Sequence, residues 1–124
     1  MNGIVPDGKS LIYRAREEST QYEKMFGIKI PISVLADRLA LRVQMSTVYS
    51  SQRPYGSTLI MAGHDHIKGL GLYMIEPAGT LYEYYGCASG RGKQIARSEL
   101  EKKNYRDLTV KEALPYIAKI LLKS

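Results

Sequence analysis

Apolar residues recur along 7–26, "DGKSLIYRAREESTQYEKMF", at Leu11, Ala15, Tyr22 and Phe26. Spacings of three, four or their sums draw one stripe down a helix. Glu17, Glu18, Glu23 and Lys24 fall largely on other faces, and Gly27 is placed to end the helix, because glycine enters the left-handed conformation without steric cost. "IPIS" breaks the pattern, and Ser33 is expected to cap a second helix from about 34 to 50, with Leu35, Leu39 and Val43 along one side and Ala36, Ala40 and Thr47 broadening it. "RPYG", residues 53–56, reads as a turn.

The period then changes. "STLIMAG" (57–63), "LGLYMIE" (70–76) and "TLYEYYG" (80–86) are short runs between turn signals and read as three antiparallel strands, with "EPAGT" as a hairpin connection. In the first run both parities are apolar, Leu59 and Met61 against Ile60 and Ala62, which predicts strands buried on both faces. Helical spacing returns from about 91 to 104 through Ile95, Ala96 and Leu100. Thr109 and Glu112 then make a capping box that opens a last helix through Ala113, Ile117 and Leu121. Pro115 falls inside it, removes one hydrogen bond and predicts a kink or a late start. The result is an α+β chain in the order helix, helix, three antiparallel strands, helix, helix. Two helices can cover one sheet face; the other calls for a further layer.

At 124 residues there is room for one domain, and 44% hydrophobic with 24% charged residues is ordinary for a soluble globular protein. No apolar run approaches the ~20 residues of a membrane span. "MNGIVPDGKS" lacks the features of a secretory signal. A single cysteine, Cys87, permits no internal disulfide framework and suits a reducing compartment. The net charge of +6 raises the question of a nucleic-acid partner. Residues 1–90 carry nine Lys/Arg against eight Asp/Glu, and residues 91–124 nine against four, so the excess sits at one end and reads as a solvated helix surface. No interleaved aromatic platform for stacking bases accompanies it.

The stretch with the most chemical promise is "YYGCASGRGKQIARSELE", residues 85–102, where a glycine turn separates strand-like from helix-like residues. A phosphate loop, G-x-x-x-x-G-K-[ST], needs glycine where Cys87 stands and a hydroxyl where Gln94 stands. The dinucleotide pattern needs glycine at Ile95, and a nucleophile elbow would put alanine, Ala88, at its apex. His64-Asp65-His66 offers metal-ligand types but no third histidine, and reads as an exposed polar turn. Cys87 has Arg91 and Lys93 nearby to lower a thiol pKa, but no histidine is placed as its base; it reads as a buried structural cysteine. The ten tyrosines read as wedges between layers.

Taken together, "GIVPDGKSLIYRAREE", "LADRLALRVQ", "RPYG", "STLIMAGHD", "LYMIEPAGTLYEYYGCASG" and "SELE…LTVKEAL" resemble, in order, the segments of the proteasome α-type subunits. The run through "LEKKNYRDLT" is most similar to the type-3 branch of that family. The resemblance implies part of a four-layer α/β/β/α sandwich of the N-terminal nucleophile hydrolase type. It implies a single incomplete domain over 1–124, without the N-terminal gate segment, the first strands or the C-terminal strands. The apolar faces of the last two helices, near Ile95 and Ile117, would then be bare.

The same resemblance implies a non-catalytic structural subunit of the 20S particle's α ring, acting in ring assembly, substrate gating and activator docking during ubiquitin-dependent and ubiquitin-independent degradation. Its partners would be neighbouring α subunits, β-ring subunits met by the helix at 7–26, and activators; its location would be cytoplasm and nucleus; no cofactor or metal is implied. Gly3 and Ile4 match part of the family's pocket for activator C-termini, although the pocket's lysine lies upstream, and Asn2 and Pro6 depart from the usual small apolar pattern. Catalytic β-type relatives carry serine in the glycine turn and an N-terminal threonine; here the positions read Arg91 and Met1, and arginine accepts no proton. The rival readings are a catalytic threonine-type β-class peptidase and a basic nucleic-acid-binding module.

Overall fold

Helical spacing before residue 50 and strand-like runs after it set the architecture. The computed structural model describes all residues 1–124 and orders them as β1 (Asn2–Gly3), α1 (Val5–Phe26), α2 (Ile32–Val48), β2 (Ser57–Asp65), β3 (Gly69–Ile75), β4 (Leu81–Glu83), α3 (Lys93–Glu101) and α4 (Val110–Lys123). The chain forms two compact units, residues 1–84 and 85–124. No helix is long and apolar enough to cross a membrane.

In the first unit the sheet is antiparallel in the order β1-β2-β3-β4, one strand more than the periodicity predicts. The extra strand pairs Asn2 with Thr58 and Gly3 with Ser57, and two residues are too few to show a period. Leu59 pairs with Ile75 and Met61 with Tyr73, so these four share one face. Leu11 of α1 and Ile32, Leu35, Ala36, Leu39, Ala40 and Val43 of α2 pack on it as a single core. The other face is not covered throughout: Ile60 and Ala62 are exposed and Leu70 is 85% exposed, although Met74 is buried. The expectation of strands buried on both faces therefore fails for much of β2, which alternates buried and open positions.

Several boundaries move for local reasons. The first helix begins at Val5 rather than 7, because Pro6 sits in the first turn, where its missing N–H costs nothing. It stops at Gly27, whose φ of 73° is left-handed as expected, and Phe26 at its end is 56% exposed and leans on Tyr22, ring centroids 4.5 Å apart. Ser33 does not cap α2: Pro31 holds the cap position, the helix spans Ile32–Val48, and the serine hydroxyl bonds elsewhere. The hairpin at "EPAGT" forms as expected, Glu76 N–H donating to Thr80 O at 3.1 Å and Gly79 N–H to Glu76 O at 2.8 Å. The third predicted strand shrinks to Leu81–Glu83.

In the second unit α3 is shorter than the predicted 91–104, and α4 opens with the expected capping box. Glu112 N–H donates to Thr109 Oγ1 at 3.3 Å, and Thr109 N–H donates to Glu112 Oε2 at 3.0 Å. The helix starts at Val110 and runs on past Pro115, so the proline does not delay it. Glu99 holds two lysines, Lys102 at 2.6 Å and Lys123 at 3.2 Å, which tethers the end of α4 to α3. Only Ala96 and Ile120 are buried hydrophobic residues here, while Ile95 is 51% exposed and Ile117 half-buried. The ten tyrosines divide evenly: Tyr73 is buried, Tyr55 packs on the core and Tyr22, Tyr84 and Tyr105 are half-buried, whereas Tyr13, Tyr49, Tyr82, Tyr85 and Tyr116 are exposed.

Candidate functional site: the Gly3–Ile4 corner and the glycine turn

The corner is built by chain geometry before any side chain acts. Gly3 has φ 125°, a region that side chains rarely adopt, and a methyl group on it would run into the Gly56 carbonyl. Ile4 N–H donates to Gly56 O at 2.9 Å, and the Ile4 carbonyl accepts from Ser57 Oγ at 2.6 Å. The Ile4 side chain lies against Gly56, where a Cβ would collide with it, and is 53% exposed beside an equally open Val5.

Asp7, in the first turn of α1, closes the corner. Arg53 Nη1 donates to Asp7 Oδ2 and Nη2 to Oδ1, both at 2.7 Å, the two-pronged geometry of the strongest carboxylate pairs. Gly56 N–H adds a third bond to Oδ2 at 2.9 Å. The Arg53 bonds first, then the Gly56 amide, hold the Asp7 carboxyl at about 2 against the opposing effect of burial. Its place near the helix N-terminus also suits a negative charge. A carboxylate so fully engaged has no spare role as acid or base; it fixes backbone. Sequence reading placed Gly3 and Ile4 in the site and missed Asp7, Arg53, Gly56 and Ser57. "VPD" and "RPYG" were both visible, but nothing in spacing pairs residues 46 apart.

The glycine turn is a change of direction. Gly90 has φ 117°, its carbonyl accepts from Lys93 N–H at 3.2 Å, Gly92 stands at the head of α3, and Arg91 is exposed. Cys87 is half-buried rather than buried, and burial pushes its thiol up while Arg97, not Arg91 or Lys93, pulls weakly the other way. That is the wrong direction for a nucleophile at neutral pH.

His64-Asp65-His66 is not an exposed turn throughout. Both histidines are exposed, but Asp65 is 2% exposed at the end of β2. It accepts from Ser33 Oγ at 2.7 Å and Ile67 N–H at 2.8 Å, and the Ser33 bond foremost keeps its carboxyl below the usual range. An open groove of about 300 Å³ lies nearby, with Ile30, Ile32 and Leu35 among its walls and Glu23, Lys29 and His64 as its charged or titratable members. In the second unit, cations are partly spent internally: Lys103 stands 3.3 Å from the centre of the Tyr116 ring and Arg106 4.5 Å from that of Tyr85. With Lys102 and Lys123 on Glu99, four of the nine cations in 91–124 have such partners, which weakens a nucleic-acid footprint.

Comparison with known proteins decides the affiliation, for the proteasome subunit family matches residues 1–124. The chain belongs to the proteasome subunit family. It is 41% identical over 121 residues to proteasome subunit alpha type-3 of Spinacia oleracea, covering 98% of this chain and 48% of that protein. It is 45% identical over 119 residues to the probable proteasome subunit alpha type-7 of Schizosaccharomyces pombe, covering 96% and 47%. With proteasome subunit alpha type-3 of Oryza sativa subsp. japonica it shares 42% over 119 residues, covering 96% and 47%. The chain thus spans about half the length of the curated relatives it matches. The resemblance drawn from six ordered motifs holds, and in this chain Asp7 and Arg53 join two of them, "GIVPDGKSLIYRAREE" and "RPYG".

Proposed function

We propose that this chain is part of a non-catalytic structural subunit of the proteasome α ring. One observation carries the reading: the whole chain matches the family, and relatives that cover it almost completely bear α-type names. The exposed Arg91 within the glycine turn agrees with it, because a guanidinium cannot relay a proton to a nucleophile. In this reading α1 meets the β ring, neighbouring α subunits flank the chain, and Gly3 with Ile4 forms part of the surface that receives activator C-termini. The ring then governs entry of unfolded substrate in ubiquitin-dependent and ubiquitin-independent degradation, in cytoplasm and nucleus. The fold is one part of the four-layer sandwich, and a second sheet covers the apolar side chains that α3 and α4 leave open, among them Leu114, Leu121 and Leu122.

The test is recovery of the tagged, untruncated protein from its native source. Co-purification in stoichiometric amounts with α-ring and β-ring subunits is expected. Recovery as a separate species overturns the reading, as does hydrolysis of a fluorogenic peptide by the purified chain that a threonine-directed inhibitor abolishes.

A further inference from the structure

We propose that Asp7 is the positioning residue of the Gly3–Ile4 corner: its carboxylate sets where the Ile4 main chain and side chain stand, without itself meeting a ligand. The inference rests, for its functional half, on reading that corner as a docking surface. Asp7 is 5% exposed, whereas the side chain of its partner Arg53 is 70% exposed, so the acceptor is enclosed and the guanidinium forms the outer lid. Both of its hydrogen-bonding partners, Arg53 and Gly56, belong to the 53–56 turn. That turn and the next residue hold Ile4 in return, through Gly56 O at 2.9 Å and Ser57 Oγ at 2.6 Å. The bonds close a ring from Ile4 through the first helical turn to Asp7, across to Arg53 and Gly56, and back to Ile4. Within that ring the Ile4 amide and carbonyl are satisfied, while its side chain stays half open against Gly56. An apolar contact on backbone already fixed in place binds with little ordering cost. Loosening the ring at Asp7 should therefore weaken docking at a surface that Asp7 does not reach.

The test has two arms. Hydrogen exchange on the full 124-residue chain follows the amides of Ile4 and Gly56, with those around Leu39 as the core reference. Binding of a synthetic peptide carrying the C-terminal residues of a proteasome activator is measured on assembled particles that contain the subunit. Asp7→Asn keeps the size and removes the charge; faster exchange at Ile4 and Gly56, an unchanged core and a loss of about tenfold or more in peptide affinity are expected. Gly56→Ala leaves Asp7 and Arg53 in place but pushes on Ile4, and should weaken binding by the second route. Arg53→Lys keeps the charge without the fork and should fall between wild type and Asp7→Asn. Unchanged exchange at Ile4 in Asp7→Asn, or faster exchange with full peptide affinity, overturns the proposal. Wild-type particles that ignore the peptide, with exchange in the chain responding as expected, overturn the docking reading and leave the positioning role standing.

Discussion

Residues 1–84 and residues 85–124 use helices of similar apolar content to opposite ends. In α2, Leu35, Leu39 and Val43 are buried against Leu59, Met61, Tyr73 and Ile75 of the sheet. In α4, Val110, Leu114, Leu121 and Leu122 are 79%, 60%, 68% and 88% exposed, with Ile120 the helix's only buried residue. The first helix is held by tertiary packing. The second depends on its capping box, its tether through Glu99 and little buried surface. Periodicity announces that a helix will form, whereas what it packs against is a separate matter.

The sharpest way to break this contrast is a cavity in the first unit. Leu39, with no exposed surface, changed to alanine should cost about 2–5 kcal/mol, read by chemical denaturation. A loss below about 1 kcal/mol would mean that the first core is no better packed than the second.

Acid comes next and acts on both units, because Lys102 and Lys123 hold the Glu99 carboxyl of the second below its usual range, as Arg53 holds that of Asp7 in the first. The folded Asp7 value of about 2 lies below its ordinary 3.8, so its contribution to stability is in place above the ordinary value and is lost as pH falls through about 2. Asp65 moves in the same direction, so the difference between wild type and Asp7→Asn isolates the corner. Stability measured against pH should fall less steeply between 3.8 and about 2 in the variant, and parallel curves would refute the assignment.

Thr109→Ala should cost about 1 kcal/mol of α4 stability, seen as lost helical circular dichroism or faster exchange in that helix. The smallest effect is expected at Leu122, where alanine should change the stability of the isolated chain by less than about 0.5 kcal/mol. The same substitution in an assembled particle should cost several times more if a second sheet covers it, and an equal cost in both settings would count against the sandwich.

Legibility followed the range of each interaction. The Gly27 stop, the Thr109 box and the "EPAGT" hairpin rest on neighbours within a few residues and form as expected, whereas the α1 stripe is buried at Leu11, half-buried at Ala15 and Tyr22 and open at Phe26. Ser33 misled because a serine before an apolar run has two uses, and here its hydroxyl serves Asp65, 32 residues away. Asp7 and Arg53 were each plain as letters and invisible as a pair, for the same reason of distance along the chain. Ile60 and Ala62 are apolar on both parities of β2, which predicts burial, yet both are exposed, because composition gives no account of what packs on a sheet face.

Asp65 has a further effect on strand alignment. It ends β2 with its carboxylate facing α2, opposite Gly69, while accepting amides from the tip of its own hairpin. Sliding β2 by one place would turn that charge to the reverse side and carry Ile60 inward, stranding Ser33 as well. A single acidic side chain thus penalises every slip by an odd number of residues, the slips that would exchange the two faces of the sheet.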